Sequence, residues 1–296
     1  MNWNDFNEIL KAVKQNWEYL KYASDELKND KEVVLEAVKR DGYALEFASD
    51  ELKNNKEIVM TAVNNTGDAL QFASDEFKND KEVVLTAVKQ DGRALEYVSP
   101  ELKNNKEVVI EAVKNYKWAL QYASDELKKD KEVVLEAVKY SYGWALEFAS
   151  DELKNDKDIV LEAVKRDGNA LKYASDELKA DKEVLLEAVK ESGYALQYAS
   201  KELQNDKEFV LEAVNNNIKA FEILGDINKE LQRDSEIIET TINKFSEYQC
   251  SKDYDLNSLK NNPNELKNIL ESIDFNNEPL VKDNENNKNN KIQFGQ

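Results

Sequence analysis

A seven-residue string, S-D-E-L-K-N-D or a near copy of it, begins at Ser24, Ser49, Ser74, Ser99, Ser124, Ser150, Ser175 and Ser200. The spacing is 25 residues at every step but one, where it is 26, because a single residue is inserted between Lys139 and Trp144. A unit this short cannot bury an apolar face by itself, so neighbouring copies must stack and the chain is committed to a repeat architecture. Eroded copies flank the series. Ile9 to Ala23 matches the back half of a repeat and Glu230 to Asn243 the front half, and both are expected to act as caps.

Comparing the copies shows what each position is for. After Asp30 the chain runs K-E-V-V-L-E-A-V-K-R. On a helical wheel Val33, Val34, Leu35, Ala37 and Val38 cover an arc of about 200°, a width that suits a helix buried on two sides. Asp30 and its counterparts Asn55, Asp80, Asn105, Asp130, Asp156, Asp181, Asp206 and Asp234 are short side chains able to accept from free helix amides, as N-caps do. Gly42 falls where a C-cap belongs. A second apolar stretch, Ala44 to Ala48, predicts a helix of about six residues with Glu46 outward. Ser49-Asp50-Glu51-Leu52 reads as a further capped turn. One copy has Ser99-Pro100-Glu101-Leu102 instead, and proline is at home in the first helical turn just after a cap.

Leucine-rich repeats share this length but need an L-x-L alternation that V-V-L-x-A-V lacks, and tetratricopeptide, ankyrin and HEAT units are longer. The units written A-L-E-F-A-S-D-E-L-K-N-N-K-E-I-V from Ala44 to Val59, with their copies, resemble the repeat family named domain of unknown function 4116, over roughly Leu10 to Val214. The resemblance implies a helical repeat family with no established activity. The copy ending near Leu224 departs from the pattern, with Ile218 in place of the glycine and Ile223 in place of the aromatic.

The expected fold is therefore all-α, an α-solenoid of about eight 25-residue helical repeats with terminal caps. Residues 1–23 form an N-terminal cap, 24–224 the array, and 225–275 a degenerate repeat with a C-terminal helical cap. Residues 276–296 are rich in asparagine and expected to be disordered.

The formal charge of −19 comes mainly from the repeats. An acidic field repels phosphate, so nucleic acid and anionic membrane are not expected as partners. Cys250 is the one cysteine and histidine is absent, which removes disulfides, thiolate or imidazole zinc sites and every mechanism with a histidine base. No cofactor is expected. No leader-like stretch opens the chain and no run approaches the roughly eighteen apolar residues of a membrane span. A cytosolic monomer is expected.

Three recurring constellations have ordinary structural explanations. The acid pairs Asp25-Glu26, Asp50-Glu51 and Asp75-Glu76 complement the dipole of a first helical turn, and no repeat supplies the spacing of a calcium loop. The series Phe47, Phe72, Tyr97, Tyr122, Phe148, Tyr173 and Tyr198 shares a face with Leu45 and Ala48 and is expected to form a core spine with hydroxyls at its edge. Lys39, Lys89, Lys114, Lys139, Lys165 and Lys190 close helix carboxyl ends, where cations are favoured anyway.

The least constrained position follows the glycine and holds Tyr43, Asp68, Arg93, Trp118, Trp144, Asn169 and Tyr194 in turn. Such variation marks a surface, and a scaffold that accepts Asp68, Arg93 and Asn169 there does not itself require an indole. Around the insertion this position and its neighbours gather Tyr116, Trp118, Tyr140, Tyr142 and Trp144. Clustered aromatics flanked by charge are enriched where partners dock, and consecutive repeats would hold the two indoles about 10 Å apart. The expected function is a non-catalytic scaffold binding a protein or peptide. The alternatives are an acidic mimic of nucleic acid that binds basic proteins, and an enzyme using carboxylate or lysine chemistry. Salt separates the two binding ideas, since mimicry weakens steeply as salt rises.

Overall fold

The computed structural model describes residues 2–275, 277 and 280. Met1 and, but for residues 277 and 280, the tail expected to be disordered lie outside the described residues. The fold is an all-α repeat solenoid, and the chain divides into two compact units, Met1–Leu153 and Lys154–Gln296.

Within the first unit each repeat contributes three pieces, typified by the α-helix Lys31–Arg40, the 3-10 helix Gly42–Phe47 and the four-residue α-turn Asp50–Lys53. The long helices Phe6–Gln15, Lys31–Arg40, Lys56–Asn65, Lys81–Gln90, Lys106–Asn115 and Lys131–Tyr140 each pack on the next. The 3-10 segments stack in the same order. Val33, Val34, Ala37 and Val38 are fully buried from the long helix, and Ala44 and Leu45 from the 3-10 segment. Leu35, on the margin of the apolar arc, is only half-buried.

The caps follow the sequence. Asp30 accepts from the amides of Glu32 and Val33, both at 3.0 Å, and Ser99 accepts from Leu102 at 3.3 Å in the copy that carries proline. The second helix, expected at about six residues, is the 3-10 helix Gly42–Phe47, closed by bonds such as Ala48 N–H to the Leu45 carbonyl at 3.2 Å. One expectation is corrected, because the glycine is not a C-cap. The residue before it, Asp41, is extended (φ −153°) and caps the 3-10 segment by accepting from the amide of Tyr43, and Gly42 opens that segment. A Cβ on Gly42 would lie 2.3 Å from the carbonyl oxygen of Ala62 in the next repeat. Glycine is needed because the neighbouring backbone comes that close.

Neighbouring repeats are also tied at their polar edges. The Ser49 N–H donates to the Lys28 carbonyl at 3.0 Å, and the bond recurs from Ser74 to Lys53 and from Ser99 to Lys78. Each of these serine hydroxyls donates to an asparagine one repeat back, Asn29, Asn54 and Asn79. Asn29 in turn donates to Glu51 at 3.0 Å, so the second acid of each pair serves the stack. Along another edge Lys56 meets Asp80 at 3.0 Å and Glu82 at 2.7 Å, and Lys106 meets Asp130 at 3.1 Å. Much of the negative charge is thus balanced between repeats.

The second unit repeats the pattern in Lys157–Arg166, Lys182–Glu191, Lys207–Asn216 and Ser235–Phe245, each packed on its successor. The copy with Ile218 builds an α-helix, Ala220–Ile227, where others have a 3-10 segment, and this helix packs against Pro263–Glu271. No helix among the described residues is long and apolar enough to cross a membrane.

Candidate functional site

The inserted residue changes how one helix ends. Lys131–Tyr140 is followed by Ser141 near the helical region, then by Tyr142 at φ 55° and Gly143 at φ 86°. The Gly143 N–H donates to the Val138 carbonyl at 3.0 Å, the six-residue closure of a Schellman turn, in which the residue before the donor is left-handed and usually glycine. Here that residue is tyrosine. Tyr142 is the one non-glycine residue with positive φ among those described, and an L residue there is strained by about 1–2 kcal/mol. Buried Ser141 holds the turn by accepting from the Ala145 amide at 2.8 Å.

The preceding repeat shows why the extra residue is tolerated. Where its neighbours have glycine, that repeat has Lys117, and its 3-10 segment is shortened to Ala119–Tyr122. Gly92 needs to be glycine because Ala112 and Tyr116 of the following repeat press on it. The counterparts facing Lys117 are Ala137 and Ser141, where the inserted residue reroutes the chain.

The aromatics fall into two classes. Tyr140 and Tyr142 are 46% and 69% exposed. Tyr116, Trp118 and Trp144 are half-buried. The Trp118 and Trp144 rings meet edge to face at 5.9 Å, rather than the 10 Å expected from helix spacing, and Trp118 also meets Phe148 edge to face at 6.2 Å. Lys117 lies 5.1 Å from the centre of the Trp118 ring. Tyr116 is extended and presses its Cβ toward Gly92. Trp118 and Trp144 thus form a packed pair in the first unit, and Tyr140 and Tyr142 are exposed on the stretch that leads from the end of Lys131–Tyr140 to Trp144.

The variable row is not uniformly a surface. Asp68 is buried, Tyr43 and Asn169 are half-buried, and Arg93 and Tyr194 are exposed. Burial, with the charge of Asp91 next, holds the Asp68 carboxyl above the usual range, against a partly offsetting Arg93 at 3.7 Å. The supposed spine is half-buried, at the edge of the core rather than inside it. Burial and a hydrogen bond to Glu96 push the Tyr122 phenol up to about 12. Two lysines near the patch are paired with acids, Lys114 with Glu111 at 3.0 Å and Lys139 with Glu136 at 3.3 Å. The strained backbone of Tyr142 escaped sequence reasoning, although the one-residue surplus just before a glycine was its signal.

The family model described as Domain of unknown function (DUF4116) matches residues 5–53, 55–103, 105–142, 130–179 and 181–232. The chain belongs to this family. Each full match spans two of the 25-residue units, and the third stops at Tyr142, the left-handed residue of the insertion. The last match takes in the copy with Ile218. No curated protein and no solved structure matches the chain.

Proposed function

We propose that this member of the DUF4116 family is a non-catalytic scaffold that binds a protein or peptide through Tyr140 and Tyr142, with Trp144 and Trp118 as their support. The observation that carries the proposal is Tyr142, which is strained in its backbone and exposed in its side chain. Glycine would hold the same turn without strain. The contacts between repeats account for the serines, asparagines, caps and lysines, but give these two phenols no task in the stack. Exposed aromatics on a rigid support are effective anchors, because they bring large contact area at little loss of freedom. Of the neighbouring lysines, Lys114 and Lys139 are paired with acids and Lys117 lies over the Trp118 ring, so docking there rests mainly on the aromatic surface. That favours aromatic docking over nucleic-acid mimicry at this patch.

The test is affinity capture from the native cell with the parent chain and with Tyr140→Ser/Tyr142→Gly, at low and high salt. A partner held by the parent across both salts and lost by the folded variant is the expected result. Retention of the same proteins by both chains would refute the patch, and binding that vanishes with salt alone would favour mimicry.

A further inference from the structure

The second unit contains a cavity of about 510 Å³, a size within the range of small-ligand sites. It lies where the repeat pattern departs from itself. The carboxyl ends of Lys182–Glu191, Lys207–Asn216 and Ser235–Phe245 meet there, with the chain beyond Pro263–Glu271 as a further wall. In earlier repeats a glycine lets the next layer close down on it. Here Lys219 and Ala220 close down on Gly193, where a Cβ would lie 2.4 Å from the Ala220 nitrogen and 2.8 Å from the Lys219 Cβ, and the cavity opens beside that contact with Gly193, Ile218 and Lys219 in its lining.

Charge is ordered by depth within the cavity. Glu191 and Asp274 are exposed, as is Lys190. The side chains of Lys219 and Lys244 are only 20% and 25% exposed. Lys219 is fixed by the buried Glu222 at 2.7 Å and by the Leu270 carbonyl at 2.6 Å, and Glu222 also accepts from the Tyr194 hydroxyl. Lys244 has only a surface-type pair to Glu247 at 3.2 Å, an interaction of little strength that a better anion can replace. Tyr248 and Phe275, in edge-to-face contact at 4.7 Å, supply an apolar wall.

We infer that this cavity binds a small organic anion, its carboxylate, sulfonate or phosphate meeting Lys244 beside the fixed Lys219 and its planar apolar part lying on Tyr248 and Phe275. A charge-assisted contact to a half-buried ammonium is stronger than one at the surface, and the aromatic wall provides the area that a free inorganic anion cannot use. The site lies far in sequence from the tyrosine patch and stands or falls independently of it.

The probe is 1-anilinonaphthalene-8-sulfonate, followed by fluorescence titration of the full chain, with inorganic phosphate as competitor. Saturable binding at one site is expected, weakened about tenfold by Lys244→Gln, restored by Lys244→Arg and unchanged by Lys139→Gln. Phosphate should compete only weakly. Circular dichroism confirms that each variant is folded. Absence of saturable binding, or equal affinity in Lys244→Gln and the parent, would overturn the inference.

Discussion

At the scale of single residues, the structure assigns opposite roles to the backbone at Gly92 and at Tyr142. Gly92 has ordinary negative φ and is required by its neighbour, since an added Cβ would stand 2.3 Å from the Ala112 carbonyl oxygen and 2.7 Å from the Tyr116 Cβ. Gly92→Ala should therefore cost about 3 kcal/mol, the scale of overpacking where backbone cannot retreat. A loss below about 1 kcal/mol in denaturant melts would mean that the stack yields there. Tyr142 carries the converse expectation. Tyr142→Gly removes left-handed strain of about 1–2 kcal/mol, against about 0.5–1 kcal/mol of added chain entropy. The variant should be as stable as the parent or up to about 1.5 kcal/mol more stable, while losing partner binding. Marked destabilisation would show that the phenol serves the fold, and the functional reading of the patch would lose its main support.

At the scale of elements, the long helix was legible because its signals are local. Asp130 precedes K-E-V-V-L-E-A-V-K, and the helix starts at Lys131 with Asp130 accepting from Glu132 and Val133 at 3.0 Å each. Asp130 also bonds Lys106 of the repeat before, a contact no local pattern announces. Asp130→Ala should cost about 1–2 kcal/mol, a cap plus a modest ion pair; a melt shifted by only a few tenths would place the helix start elsewhere. The 3-10 character of Gly42–Phe47 was not legible, since A-L-x-F spacing suits either helix over six residues. The glycine's purpose and the serine–asparagine bonds were hidden because the partner lies some twenty or more residues away. Tyr140 and Tyr142 could be named from sequence, but the strain at Tyr142 and the packing of Trp118 on Trp144 and Phe148 depend on how the insertion is absorbed.

The ion pairs between elements also set a dependence on pH. A hydrogen bond from Lys182 holds the Asp206 carboxyl below the usual carboxylate range, and Lys207 does the same for Asp234. A depressed folded pKa adds stability that is complete above the unfolded value of about 4 and is lost as pH falls through the folded value. Thermal midpoints should be level from neutrality to about pH 5 and should drop below about pH 4. A midpoint that rises on acidification through that window would contradict the contribution of these pairs.

At the scale of the whole molecule, most layers touch their neighbours through a shared set of contacts: a glycine under the next layer's backbone, a serine on an asparagine, a lysine on an acid. Stability should then be a sum over repeats and their junctions, with no single repeat indispensable. Removing Ser74 to Val98 takes out one whole unit from within Met1–Leu153 and joins Ala73 to Ser99, which brings Ser99 to the Lys53 carbonyl and to Asn54 as Ser74 was before. Urea unfolding of this deletion, followed by circular dichroism beside the parent, tests the stacked-repeat account most directly. A folded protein of the same helical content per residue, with a cooperative transition at somewhat lower urea, is the expected result; loss of helix without denaturant would contradict it.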